Sequence, residues 1–164
     1  MARKKSPKPD QRGQHAPQIR NRRATFDYHV LERIECGIEL LGTEVKSLRA
    51  GNASLEGAYA AIQGGQVFLC GANIATWPQA AGVLQHDPLR RRKLLLHRRQ
   101  IRQLARHADQ KGHTLVPLAL YFKNGWGKCE LAAAAGKRAY DKRQAIQKRQ
   151  QQRDVQRALR RPKR

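Results

Sequence analysis

From Phe26 the apolar and polar residues alternate. Phe26, Tyr28, Val30, Ile34 and Cys36 share one parity, with Asp27, His29, Arg33 and Glu35 on the other, the period of a half-buried strand. Gly37 predicts a bulge or bend, after which Ile38 and Leu40 resume the face and Gly42 closes the strand. In TEVKSLRAG the pattern shortens to a helical one. Thr43 is the expected N-cap, Glu44 lies in the first turn, Val45 and Leu48 face inward, and Gly51 is the stop, which leaves Lys46 and Arg49 together outside.

The runs AYAAI and QVFLCGANI flank Gly64-Gly65, a dipeptide suited to the positive φ angles of a hairpin turn. TWPQAAGVLQHDPLRRRK is turn-rich and longer than an ordinary connection. A second helix is expected over Leu94 to Lys111, with Ile101, Leu104, Ala105 and Ala108 on its apolar stripe and Gly112 as its stop. Thr114, Val116, Leu118, Leu120 and Phe122 then alternate, Pro117 argues for an edge or a bulge, and Asn124-Gly125 turns the chain into WGKCELAAA. About six short antiparallel strands, a short helix and one amphipathic helix predict a mainly β protein. The expected architecture is an OB-fold-like barrel with the amphipathic helix over one end.

Composition divides the chain of 164 residues into a core and two tails. Residues 1–20, with Pro7, Pro9, Pro17 and Gly13, read as a flexible basic arm; 21–135 form the barrel; 136–164 form a basic tail, disordered when free because it buries too little apolar surface to offset its ordering entropy. The 34 Lys and Arg against 12 Asp and Glu give a net charge of +22 and point to a polyanion. A membrane is disfavoured, since neither a spanning apolar run nor a signal-peptide core is visible, so a cytoplasmic protein is expected. Cys36, Cys70 and Cys129 have neither disulfide nor zinc spacing and read as reduced thiols, with no metal or cofactor implied.

No G-x-S-x-G, H-E-x-x-H or strand-linked phosphate loop is present, so an enzyme reading lacks positive support. The informative feature is the accumulation of cations in or beside ordered segments. Arg22, Arg23, Lys46, Arg49, Arg92, Lys93 and Lys123 are candidate RNA contacts, with Arg98, Arg99 and Arg102 beside them. Trp77, Trp126, Tyr121 and Tyr140 are candidates to stack on bases, and Trp77 and Trp126 suit a barrel end as well; an aromatic content of 5% favours recognition of a folded RNA by shape and backbone over reading by stacking. Glu35 stands out on a basic face: it either accepts from a base or forms a surface pair with Arg33 or Arg49.

The ordered series NRRA, ECG, GTEVKSLRAG, FLCGANI, HDPLRRRKLLLHRRQI, LVPLALYFKNGWGKCELA and AAGKRAYDKR, from about Asn21 to Leu159, resembles the SsrA-binding protein (small protein B) family. The resemblance implies an OB-fold barrel, monomeric when bound, that docks at the elbow of the tRNA-like domain of transfer-messenger RNA (tmRNA, SsrA). It would bring that RNA to the decoding site of stalled ribosomes for trans-translation and peptide tagging, without catalysis. Carried over by position, the RNA-contacting set falls on Asn21, Glu35, Leu95 and Lys128, though apolar Leu95 suits the core of the helix start as well as RNA, and the ribosome-tail motif falls on Gly136, Lys137, Arg138, Tyr140, Asp141, Lys142 and Arg143. In the family this tail becomes helical in the vacant message channel; Asp141 to Leu159 contains no Gly or Pro and would span roughly 30 Å as a helix. Tyr140 stands where members often carry His, and Arg138 where they often carry Lys. The competing expectation is a general basic ribosome-associated RNA-binding protein.

Overall fold

The computed structural model describes residues 17–80, 85–138, 140–141 and 150–151. In chain order the elements are β1 (Ile19–Arg20), α1 (Arg22–Asp27), β2 (Tyr28–Ile38), α2 (Gly42–Arg49), β3 (Ala53–Ser54), β4 (Tyr59–Gln63), β5 (Gln66–Cys70), β6 (Asn73–Ile74), β7 (Arg92–Leu95), α3 (Arg98–Ala108), β8 (His113–Lys123) and β9 (Trp126–Gly136). The main sheet runs β1-β8-β4-β5-β7-β2-β9, and β8 also pairs with β9. Six strands therefore close into an antiparallel barrel, as the alternation predicts, and β1 is added beside β8. Both expected hairpin turns form: Gly64-Gly65 has φ of 56° and 71°, and Asn124-Gly125 has 52° and 80°.

The interior is filled by Ile34, Cys36, Val67, Leu69, Leu94, Leu115, Leu120, Cys129 and Leu131, with Leu48 of α2 and Leu104 of α3 buried among them. A second, smaller cluster lies on the other side of the sheet, where Ala24 of α1 packs on Val116, Leu118, Ala132 and Ala134, and Tyr28 and Val30 join it. The two clusters exist because two strands change face. The register of β2 on β9 shifts between Val30 and Glu32, and that of β8 on β9 between Pro117 and Ala119; each extra residue reverses which parity points inward. The single alternating face expected over Phe26 to Cys36, and over Thr114 to Phe122, is thus two half-faces. Gly37 is not the bulge.

The segment expected to open the strand at Phe26 is instead the end of α1. Asn21 caps that helix: its Oδ1 accepts from the Ala24 N–H at 3.0 Å. Its Nδ2 donates to the carbonyls of Leu55 at 2.9 Å and Pro117 at 3.1 Å, and its own N–H donates to the Leu118 carbonyl at 2.8 Å. The bulge in β8 displaces carbonyls that must find donors elsewhere, and Asn21 supplies them. Ile19 and Arg20, which sequence places in the flexible arm, pair with Leu120 and Ala119 as β1; residues 1–16 of that arm lie outside the described residues.

The other departures have local causes. Leu94 and Leu95 belong to β7, so the amphipathic helix starts at Arg98. α2 is capped by Leu41 rather than Thr43: the Glu44 carboxylate reaches back to accept from the Leu41 N–H at 2.7 Å. Thr43 instead meets buried His86, its Oγ1 2.8 Å from Nδ1, while His86 Nε2 lies 3.0 Å from the Ile74 carbonyl and so fastens the 85–91 segment to α2 and β6.

Glu44 and Arg92 are both fully buried and paired, Arg92 Nε to Glu44 Oε1 at 2.8 Å. Arg90 adds bonds to the same carboxylate of 2.7 Å from Nε and 2.5 Å from Nη2. Arg92 also donates to the carbonyls of Ala72, Arg90 and Pro88 at 2.6, 3.1 and 2.9 Å. Arg92 is therefore a structural cation, a correction to its expected role in RNA binding. Burial pushes the Glu44 carboxyl up, but the bonds from Arg90 and Leu41 and the charges of Arg92 and Arg90 prevail and hold it below its ordinary value.

Removing one member of such a pair leaves the other buried and uncompensated, so Glu44→Ala should destabilise the fold by about 3–5 kcal/mol in denaturant titration. A group with a depressed folded-state pKa contributes stability above its unfolded value and loses it as pH falls through the folded one. The stability gap between wild type and Glu44→Gln should therefore narrow below about pH 4. A gap that stays constant down to acid unfolding would contradict this.

Candidate RNA interface

Strand register assembles a continuous outer face on the barrel. One row across four strands is Arg20, Ala119, Glu130 and Glu35; the next outward-facing row is Tyr121, Lys128, Gly37 and Leu95, followed by the pair Lys123 and Trp126. These residues share a side because directly paired positions in an antiparallel sheet point the same way. Glu35, Leu95, Lys123 and Lys128 therefore meet on one surface, although up to 93 positions separate Glu35 and Lys128 in the chain.

Gly37 makes this surface possible. A Cβ built there would lie 3.2 Å from Leu95 Cβ and 3.3 Å from its Cδ1, so the missing side chain lets Leu95 lie across β2 toward Lys128. Leu95 is 53% exposed and Trp126 74% exposed, which decides their open sequence readings: neither is core. Lys93 has the same parity as Leu95 on β7 and is half-buried.

Glu35 forms neither of the pairs weighed for it from sequence. The Tyr121 hydroxyl donates to its Oε2 at 2.5 Å, and Lys123 Nζ lies 3.1 Å from both oxygens; Arg33 pairs with Glu130 at 3.3 Å. Hydrogen bonds from Tyr121 and then Lys123 outweigh partial desolvation and, with the charges of Lys123 and Lys128, hold the Glu35 carboxyl below its ordinary value. Burial and the bond to Glu35 push the Tyr121 phenol up, so it stays protonated and remains a donor. The result is an oriented, ionised acceptor within a basic surface. Tyr121 was legible from sequence only as a stacking residue; its position opposite Lys128 is a register fact.

The remaining expected sites disperse. Asn21 has its side-chain oxygen and both amide bonds used inside the fold, a correction to its expected direct contact with RNA. Arg22 beside it is exposed, and Arg23 is exposed but paired with Asp27 at 3.3 Å and Glu56 at 2.6 Å. On α2, Lys46 and Arg49 are exposed, and the Arg49 guanidinium carbon lies 5.4 Å from the Phe122 ring centroid. Of the tail motif, Gly136 ends β9, with its N–H donating to the Gly112 carbonyl at 3.2 Å. Lys137 is tied to α1 through its N–H to the Asp27 carbonyl and its Nζ to the Thr25 carbonyl, both 2.9 Å.

Asp141 Oδ2 accepts from the Arg138 N–H at 3.3 Å and lies 3.4 Å from His29 Nε2. Tyr140 is exposed, and Tyr140 and Asp141 are helical, as are Gln150 and Gln151. Lys142 and Arg143, with most of the tail whose disorder was expected, lie outside the described residues. The three cysteines are free and buried. Among the described residues no group of three or more His, Cys, Asp or Glu is arranged to hold a metal, and no helix is long and apolar enough to cross a membrane.

A small closed barrel whose outer face gathers cations around a fixed acceptor defines a polyanion-binding β-barrel protein. Comparison with known proteins then places it. Residues 18–161 match the family model described as SmpB protein, and the chain belongs to that family. It is 51% identical over 141 residues to the SsrA-binding protein of Synechococcus elongatus, covering 86% of this chain and 92% of that one. Against the SsrA-binding protein of Gloeobacter violaceus the identity is 50% over 143 residues, covering 87% and 93%. A solved chain from the work "tmRNA-SmpB: a journey to the center of the bacterial ribosome" superposes with a TM-score of 0.66 at 44% identity, covering 80% of this chain and 95% of that one.

Because the Tyr121 bond is the largest influence on Glu35, Tyr121→Phe should raise the Glu35 titration midpoint toward the ordinary carboxylate value, read by NMR of the side-chain carboxyl. An unmoved midpoint would show that Lys123 alone sets it.

Proposed function

We propose that this chain binds tmRNA (SsrA) at its tRNA-like domain and delivers it to stalled ribosomes in trans-translation, as a binding protein rather than an enzyme, acting in the cytoplasm. The observation that carries the reading is Glu35, held ionised by Tyr121 and Lys123 in the middle of the basic face of an SmpB-family barrel. Phosphate alone would be repelled there. A hydrogen-bond donor on an exposed base edge would not, so the same face that attracts any RNA by charge selects one that offers a donor at this point.

The binding surface is the outer face of residues 21–135: Glu35, Leu95, Lys123 and Lys128 at its centre, Arg22 and Lys93 toward its edges, with Lys46 and Arg49 of α2 as further cations. Charges on this face accelerate encounter and make affinity salt-dependent. The tail from Gly136 acts separately, in the decoding site and message channel. The anchoring of Lys137 on α1 and the Asp141 bond to Arg138 support this, because they fix where the tail leaves the barrel.

Two measurements test the proposal. Labelled tRNA-like domain, titrated in excess competitor tRNA at physiological salt, should bind selectively, and Glu35→Ala should weaken that binding while leaving the melting temperature unchanged. Equal affinity for both RNAs would favour a charge-driven general RNA binder. In a reconstituted stalled-ribosome assay, combined alanine substitution of Asp141, Lys142 and Arg143 should leave RNA docking intact and abolish tagging; normal tagging would refute the division of labour.

A further inference from the structure

Beside the Glu35 row lies an open cavity of ≈ 700 Å³ at the junction of β1, α1 and the β2-β9-β8 sheet. Arg20 and Glu130 belong both to that row and to the cavity wall, so the two are continuous. The wall carries four cations, Arg20, Arg22, Arg33 and Lys137, against the single carboxylate of Glu130, and one aromatic ring, Phe26, which is 37% exposed. Lys137 is held in place by its bond to the Thr25 carbonyl, and Glu130 is steadied by Arg33 at 3.3 Å. Phe26 sits on a short helix whose buried residue is Ala24, and its own ring is left partly open at the cavity wall.

We propose that this cavity is a nucleotide subsite that takes one base turned out of the RNA stack, with its phosphate among Arg20, Arg22 and Arg33 and its base on Phe26. The volume falls within the range of small-ligand pockets, about 300–1,000 Å³. The combination of chemistries is specific to this occupant. A duplex read by shape presents phosphates and sugars and needs no aromatic plane, whereas an unstacked loop base needs the plane and a polar group for its edge. Glu130 supplies an acceptor for a base amino or imino group, as Glu35 does one row position away across β9 and β2. The inference rests on the tmRNA reading and adds to it a second point of selection, an extruded loop base.

The test is a coupling measurement with the full-length protein. Single abasic substitutions are placed in turn at the unpaired loop positions of the tRNA-like domain, and affinities are measured for wild type, Phe26→Ala and Phe26→Tyr. Phe26→Ala should raise Kd about tenfold with its salt dependence unchanged, and Phe26→Tyr, which keeps the plane, should bind nearly as wild type. At one loop position the abasic substitution should weaken wild type by a similar factor and have no effect on Phe26→Ala. Arg33→Ala should instead lower the salt slope by about one unit.

If Phe26→Ala does not fold, Phe26→Leu replaces it in the same cycle. Selective binding by wild type with no coupled position overturns the subsite and leaves the tmRNA reading standing. Loss of selectivity in wild type overturns the tmRNA reading itself.

Discussion

The Glu44 carboxylate is withdrawn entirely from water, and much of the fold is the consequence of satisfying it. It accepts from Leu41, Arg90 and Arg92, and Arg92 in turn donates to the carbonyls of Ala72 and Pro88. One charge pair thereby fastens the start of α2, the 85–91 segment, the approach to β6 and the strand β7. Pairs of this kind add little net stability compared with apolar packing, but they fix register, since no slipped arrangement satisfies both partners. Because Arg92 must point inward, period-2 alternation turns Leu94 inward as well and sends Lys93 and Leu95 out. The outer surface inherits its composition from a buried contact.

A second constraint is the pair of bulges. Each reverses the parity of its strand, so β2 and β8 present apolar residues to the barrel interior over one half and to α1 over the other. Of the three long strands only β9 carries no extra residue, and its alanine run keeps both faces thin enough for α1 to pack closely on one of them. Asn21 answers the bulge in β8 with its amide, at the same point where it caps α1. A residue that looked like a ligand contact is thus a joint between three elements.

The net charge of +22 does not indicate where a polyanion binds. Arg90 and Arg92 are spent on Glu44, and Arg23 on Asp27 and Glu56. What distinguishes the proposed interface from the rest of a strongly basic chain is the oriented acceptor at its centre. Tyr121 and Lys123 keep Glu35 ionised and pointed, and the absence of a side chain at Gly37 lets the neighbouring strands bring Leu95 and Lys128 alongside.

The sequence by itself determined the fold class, because the period of its apolar residues, the Gly64-Gly65 and Asn124-Gly125 turns and the amphipathic stripe around Leu104 are local properties of the chain. Its ordered motifs likewise carried the family. The strand start at Phe26 and the helix start at Leu94 were misread for a physical reason: α1 depends on an Asn21 cap whose other partners are 34 and 96 residues away, and β7 exists only because β2 and β5 flank it. The exchange of Arg92 from surface to core, and of Tyr121 from stacking residue to holder of Glu35, were equally out of reach. Burial and cross-strand pairing arise only when the barrel closes, so tertiary structure alone decided which charges serve the fold and which remain to meet RNA.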